Sequence, residues 1–176
     1  MRIITGKYKG RHFDIPRSFK ARPTTDFAKE NIFNVLIQYI DFDDATALDL
    51  FAGTGSITLE MLSRGCSHVT SVELDRDHHR FITECLKKIG TDACLPLRGD
   101  VFRFLKSCRQ QYNLIFADPP YALAELPTLP DLIAERQLLK PDGLFVLEHG
   151  KDYDFSAHAH FVEHRQYGSV NFSLFR

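Results

Sequence analysis

At 176 residues the chain has the length of one domain with a sizeable core, and its 44% hydrophobic content is that of an ordinary globule. No apolar run reaches the roughly 20 residues that cross a bilayer. The opening Met1-Arg2-Ile3-Ile4-Thr5-Gly6-Lys7 has no leader-like apolar stretch, so a cytoplasmic protein with no membrane partner is expected.

The net charge of −1 speaks against a polyanion binder, but the charge is unevenly placed. Residues 1–22 carry Arg2, Lys7, Lys9, Arg11, Arg17, Lys20 and Arg22 against Asp14 alone, a net of +6 that leaves −7 for the rest. A basic arm on an acidic body suggests a localised polyanion contact, with a solvated tail as the competing reading. Gly6, Gly10 and Pro16 interrupt the arm, which reads as short strands or a hairpin over 1–23, followed by a main domain over 24–176.

Past Pro23 a helix is predicted from Thr24 or Thr25, with Ala28, Ile32, Val35, Leu36 and Ile40 at helical spacing. Strands and helices then alternate. Ala47–Phe51 is a short buried strand, Ser56–Arg64 a helix stopped by Gly65, and His68–Leu74 a strand rich in β-branched residues. Asp75–Ile89 is a helix closed by Gly90, Cys94–Leu97 a weaker strand, and Val101–Cys108 a short helix. Leu114–Ala117 is a strand, Leu129–Leu138 a helix, Lys140–Gly143 a turn and Leu144–Glu148 another buried strand. Continuous apolar strands separated by helices predict an α/β protein with a parallel sheet covered on both faces. Phe161–Gln166 and Val170–Phe175, flanking Tyr167-Gly168-Ser169, read as a closing hairpin and an antiparallel edge.

The four cysteines, Cys66, Cys85, Cys94 and Cys108, form no Cys-x-x-Cys pair and read as reduced thiols. His78 and His79 are adjacent on a helix and point apart, while His158, His160 and His164 lack an evident carboxylate partner, so no metal site is expected. Phe27, Phe33 and Phe42 read as core or staple residues, and Ser56 as a helix N-cap.

Two segments carry chemistry. Asp49-Leu50-Phe51-Ala52-Gly53-Thr54-Gly55-Ser56 leaves a buried strand and enters a helix, where glycine lets backbone bend and a ligand approach. Glu73 follows 20 residues after Gly53, where a carboxylate can take both hydroxyls of an adenosine ribose. Asp100, after the next strand and before Val101, could meet the adenine edge. Dinucleotide oxidoreductases use the same crevice, but Thr58 stands at their third glycine position.

The second segment, Asp118-Pro119-Pro120-Tyr121, directly follows the strand Leu114–Ala117. A chance match is on the order of 10⁻³ per chain. Proline fixes φ and holds the preceding residue extended, so Asp118 and the Pro119 carbonyl are aimed rigidly. Two acceptors at that spacing can each bind one hydrogen of an aromatic amine and turn its lone pair towards a methyl donor, with Tyr121 stacked on the base. A sulfonium donor needs no metal, so alignment and electrostatics would carry the catalysis.

Taken together these residues resemble the RsmD-type 16S ribosomal RNA guanine-N2 methyltransferases. The resemblance covers nearly the whole chain. It runs through Arg2-Ile3-Ile4 and Gly6–Arg11, Arg22-Pro23-Thr24-Thr25-Asp26, Phe33-Asn34, Asp49–Gly55, Leu62–Gly65, Asp118–Tyr121 and Tyr167-Gly168. It implies a Rossmann-like class I methyltransferase, a seven-stranded mostly parallel sheet with an antiparallel last strand. The implied cofactor is S-adenosylmethionine, with Asp49, Phe51, Gly53 and Gly55 at its methionine part, Glu73 at its ribose, and Asp100 and Val101 at its adenine. The implied catalytic residues are Asp118, Pro119 and Tyr121. Arg2, Lys7, Lys9, Arg11 and Arg22 would grip 16S rRNA, in the small ribosomal subunit or its precursor, with the enzyme a monomer. The chain departs from the family at Thr5, Thr54, Thr58 and Cys85. The motifs themselves leave open an adenine-N6 methyltransferase and a non-catalytic RNA-binding assembly factor. An oxidoreductase gives Asp118–Tyr121 no role.

Overall fold

The computed structural model describes residues 1–176. Its strands are β1 (Thr46–Leu50), β2 (His68–Glu73), β3 (Cys94–Arg98), β4 (Tyr112–Ala117), β5 (Leu139–His149), β6 (Phe161–Tyr167) and β7 (Val170–Phe175). The helices are α1 (Asp26–Leu36), α2 (Ser56–Ser63), α3 (Arg76–Ile89), α4 (Val101–Ser107) and α5 (Leu129–Glu135). All strands join one sheet in the order β3-β2-β1-β4-β5-β7-β6. The first five run parallel, and β7 is antiparallel to both β5 and β6.

Alternating side chains divide the core in two. Leu114 and Phe116 of β4 face α1, α2 and α3, while Ile115 and Ala117 face α4 and α5. The chain steps outward from β1 through β2 to β3 and then returns to place β4 on the other side of β1. A crevice opens there, at the carboxyl ends of β1 and β4, which is where such sheets take ligands.

The arm folds back on itself between Met1 and Phe13 as a hairpin with a single bridge, Arg2 to His12, rather than a strand pair. Its apolar residues Ile3, Phe13 and Phe19 join the core beneath α1, α2 and α3. Glu60, wholly buried in α2, accepts the Ile4 amide at 2.9 Å and the Thr5 amide at 3.1 Å. Gly6 (φ +93°) lies so close to Ser63 that a side chain would run into its backbone carbonyl. The Lys7 amide donates to that carbonyl at 2.8 Å.

Several local expectations are corrected. The predicted helix 129–138 ends at Glu135, because Gln137 turns to φ +52°. Lys140–Gly143 is an irregular excursion within β5, with Asp142 at φ +62° and a register shift against β4. Ser56 is the first helical residue and not the cap. Gly55 caps α2 without a side-chain bond, and the Ser56 hydroxyl accepts from Lys29 at 3.0 Å. Phe33 and Phe42 are core, but Phe27 is 62% exposed, edge-on to Tyr167. His158 has a carboxylate partner after all, Asp131 at 2.9 Å.

Candidate active site

A cavity of about 990 Å³ occupies the crevice and is lined by both chemical segments. On its β1 side the chain turns through left-handed conformations at Phe51 (φ +60°), Gly53 (φ +56°) and Gly55 (φ +79°). A β-carbon at Gly55 would stand 2.9 Å from Ile82 Cγ1, so glycine is required there for close packing as well as for φ. The Gly53 amide donates to Glu73 Oε2 at 2.7 Å and the Asp75 amide to Glu73 Oε1 at 2.8 Å. Glu73 is thus clamped at the end of β2, facing the cavity. Asp100 caps α4 by accepting from the Arg103 amide at 2.9 Å, with Val101 buried behind it and Phe102 edge-on to Phe51.

Asp49 is the buried carboxyl of this half. Burial pushes it up to about 7, against the counteracting hydrogen bond from the Thr58 hydroxyl at 2.6 Å. No protein cation pairs with it. The Thr54 hydroxyl on the cavity wall is buried and has no hydrogen-bond partner. A buried carboxyl without a cation and a buried hydroxyl without a partner together fit a ligand bearing an ammonium and further polar atoms.

On the β4 side, the Asp118 amide donates to the Leu50 carbonyl at 3.3 Å, tying the two strand ends together. Pro119 is buried on the cavity wall, and its carbonyl accepts no backbone hydrogen bond. Tyr121 stands 40% exposed at the mouth. Its hydroxyl donates to Glu148 Oε1 at 2.8 Å, and its ring lies against Gly150, where a β-carbon would come within 3.2 Å. Burial, the neighbouring Glu148 and then Asp49 hold the Asp118 carboxyl well above the usual carboxylate range. Burial raises Glu148 too, while hydroxyl hydrogen bonds from Tyr121 and Thr24 pull it back towards ionisation.

The cavity therefore brings together Asp49, Phe51, Gly53, Glu73, Asp100, Val101, Asp118, Pro119 and Tyr121, with Gly55 just behind its wall. The basic residues divide. Arg22 and Lys20 line the mouth. Lys7 sits by Ser63, at the far end of α2 and about 12 Å from its start, and the Lys9 amide closes the same turn on the Gly6 carbonyl. Arg11 donates to the Lys88 carbonyl at 2.6 Å, and Arg2 pairs with Asp26 at 3.1 Å. Sequence reasoning gave Glu148 and His78 no role at the site, and singled out the segments that hold Lys20, Thr24 and Thr54 without naming those residues as part of it. For Glu148 the available signal was a carboxylate ending the apolar run Leu144–Leu147 at the ligand-bearing edge of the sheet. No group of three or more His, Cys, Asp or Glu residues is placed to hold a metal ion.

This sheet order, with a glycine loop after its first strand and Asp-Pro-Pro-Tyr after its fourth, defines a class I methyltransferase. A family model described as "Conserved hypothetical protein 95" matches residues 1–176. The YlbH protein of Bacillus subtilis, whose name places it among rRNA methyltransferases, is 38% identical over 158 residues, covering 88% of this chain and 85% of its own. Ribosomal RNA small subunit methyltransferase D of Escherichia coli K12 is 32% identical over 148 residues, covering 84% and 74%. Among solved structures, the YhhF methyltransferase of Escherichia coli superposes with a TM-score of 0.86 at 28% identity, over 99% of this chain and 96% of its own. The chain belongs to this family, the RsmD-type ribosomal RNA methyltransferases. More distant in sequence, a 16S rRNA N2 G1207 methyltransferase of Thermus thermophilus, solved with S-adenosylmethionine and guanosine, shares the fold with a TM-score of 0.69 at 17% identity, over 90% of this chain and 44% of its own.

Proposed function

We propose that this protein transfers a methyl group from S-adenosylmethionine to the exocyclic N2 amine of a guanine in 16S rRNA, in the small ribosomal subunit or its precursor, releasing S-adenosylhomocysteine. The observation that carries this reading is the meeting of Asp118 and the Pro119 carbonyl with the glycine loop across one cavity. S-adenosylmethionine supplies a methyl group already activated on a positive sulfur. Asp49 and the unpaired Thr54 hydroxyl would hold its methionine part, with Phe51, Gly53 and Gly55 shaping the loop around it. Glu73 would take the ribose hydroxyls, and Asp100 and Val101 the adenine.

The Asp118 carboxyl and Pro119 carbonyl each accept one amino hydrogen, which turns the nitrogen lone pair towards the methyl carbon. The nitrogen–carbon bond forms as the sulfur–carbon bond breaks, and one amino proton leaves by way of Asp118 to water. Tyr121 lies at the mouth, where a flipped-out base would stack. Lys20 and Arg22 would meet phosphates at the mouth, and the path continues over the arm to Lys7, Lys9 and Arg11. The reaction takes place in the cytoplasm, on a monomer.

The test is transfer of labelled methyl from S-adenosylmethionine to small ribosomal subunits from cells lacking the gene, followed by nucleoside analysis. N2-methylguanosine is the expected product. N6-methyladenosine would overturn the choice of base, and absence of cofactor binding in calorimetry would overturn the enzyme assignment.

A further inference from the structure

Glu148 is a buried carboxylate that the mechanism above leaves without work. The register Ala117↔Leu147 between β4 and β5 places Asp118 and Glu148 side by side at the ends of neighbouring strands, about 4.8 Å apart along the sheet. Both line the cavity. Glu148 is only 5% exposed, yet its environment is built to keep it an acceptor. The Tyr121 hydroxyl donates to Oε1 at 2.8 Å and the Thr24 hydroxyl to Oε2 at 3.4 Å. A carboxylate offers about four lone-pair positions, so each oxygen retains capacity for a further donor.

Two adjacent buried carboxyls cannot both ionise readily. Burial and the neighbouring Glu148 raise Asp118, while the two hydroxyl donors pull Glu148 back towards ionisation and keep it an acceptor. The paired groups then present two acceptors in a row.

We propose that Glu148 is the specificity-determining residue of this site, accepting the N1–H of a guanine while Asp118 and the Pro119 carbonyl hold its N2 amine. This inference rests on the guanine-N2 reading above. The Watson–Crick edge of guanine offers N1–H beside N2–H₂, a run of donors that matches the run of acceptors. Adenine offers a lone pair at N1 beside its amine, and that lone pair would face the Glu148 carboxylate. Site-built hydrogen bonding of this kind discriminates strongly, because a mismatch leaves buried polar groups unpaired. Glu148 thereby also couples recognition to Tyr121, whose hydroxyl it holds.

The test uses reconstituted small subunits carrying guanine or 2-aminopurine at the methylated position, since 2-aminopurine keeps the C2 amine but has a lone pair at N1. The parent protein is expected to favour guanine in kcat/KM by about tenfold or more. Glu148→Gln keeps an acceptor for Tyr121 but can present an NH₂ to N1. It should lose about tenfold on guanine, hold or gain on 2-aminopurine, and so narrow the ratio by about tenfold, with unchanged S-adenosylhomocysteine affinity. Equal slowing on both bases by Glu148→Gln would overturn the proposal, as would a parent protein indifferent to the two. Glu148→Asp, which keeps the charge but retracts it, provides a second reading and should also narrow the ratio. Failure of the guanine-N2 reading is separately visible, as methylated adenosine from unmodified subunits.

Discussion

The Thr58 hydroxyl donates to the Asp49 carboxylate over 2.6 Å, with both side chains buried. Thr58 occupies the position where a dinucleotide-binding loop has its third glycine, and here the side chain has a use that glycine could not serve. It gives the buried carboxyl a hydrogen bond that favours its ionised form. Thr58→Val keeps the shape and deletes that bond. It should weaken S-adenosylhomocysteine binding at pH 7 by about tenfold, with part of the loss recovered at higher pH. Titration calorimetry at two pH values checks this.

Asp49 itself predicts two pH dependences. Its pKa is raised in the folded, ligand-free protein to about 7 from the ordinary 3.8. Its contribution to folding stability is therefore fully present below about pH 4 and lost as pH rises to about 7. Asp49→Asn should remove this slope and make the ligand-free variant more stable than the parent at pH 8, as read by thermal or urea unfolding. A ligand ammonium favours ionised Asp49, so parent affinity for S-adenosylhomocysteine should rise with pH up to about 7 and then level. Asp49→Asn should bind weakly at every pH.

The arm separates RNA affinity from cofactor affinity. Lys7 lies at the far end of α2 from the cavity, Lys9 beside it in the same turn, and Arg11 at the last turn of α3. Replacing all three with alanine should weaken rRNA binding and reduce the salt slope by about three, with S-adenosylhomocysteine affinity unchanged. Filter binding across a salt series measures both quantities. Equal loss of RNA and cofactor binding would refute the arm's role.

The arm is held by a buried ionic cluster. Lys29 Nζ lies 3.8 Å from Glu60 and donates to the Arg2 carbonyl at 2.6 Å, while Arg64 pairs with Glu60 at 2.9 Å. Glu60→Ala strands a buried lysine and two backbone amides. It should destabilise the fold by about 3–5 kcal/mol in denaturant unfolding. It should also lower RNA affinity by releasing the arm.

The sequence made legible the features that depend on neighbours in the chain. The mainly apolar segments 47–51 and 114–117 marked β1 and β4, and the glycines and prolines after them marked the crevice. The closing hairpin was readable from its turn residues. Long-range polar partners were not. Glu60 meets Ile4 across 56 residues and Tyr121 meets Glu148 across 27, and no local pattern announces either. Phe27 shows the reverse failure. Its type suggested burial, but its place on the outward side of α1 leaves it exposed beside Tyr167. Ser56 had the composition of a cap, but the left-handed Gly55 took that role and freed the hydroxyl for Lys29.

In the proposed reaction Asp118 presents the N2 amine of a guanine in 16S rRNA for methylation. The most direct test is mass-spectrometric comparison of 16S rRNA from cells with the gene, without it, and with Asp118→Ala in its place. One N2-methylguanosine should be present in the first and absent from the other two, while purified Asp118→Ala still binds S-adenosylhomocysteine. Near-normal methylation by Asp118→Ala, or a lost modification on adenine, would contradict it.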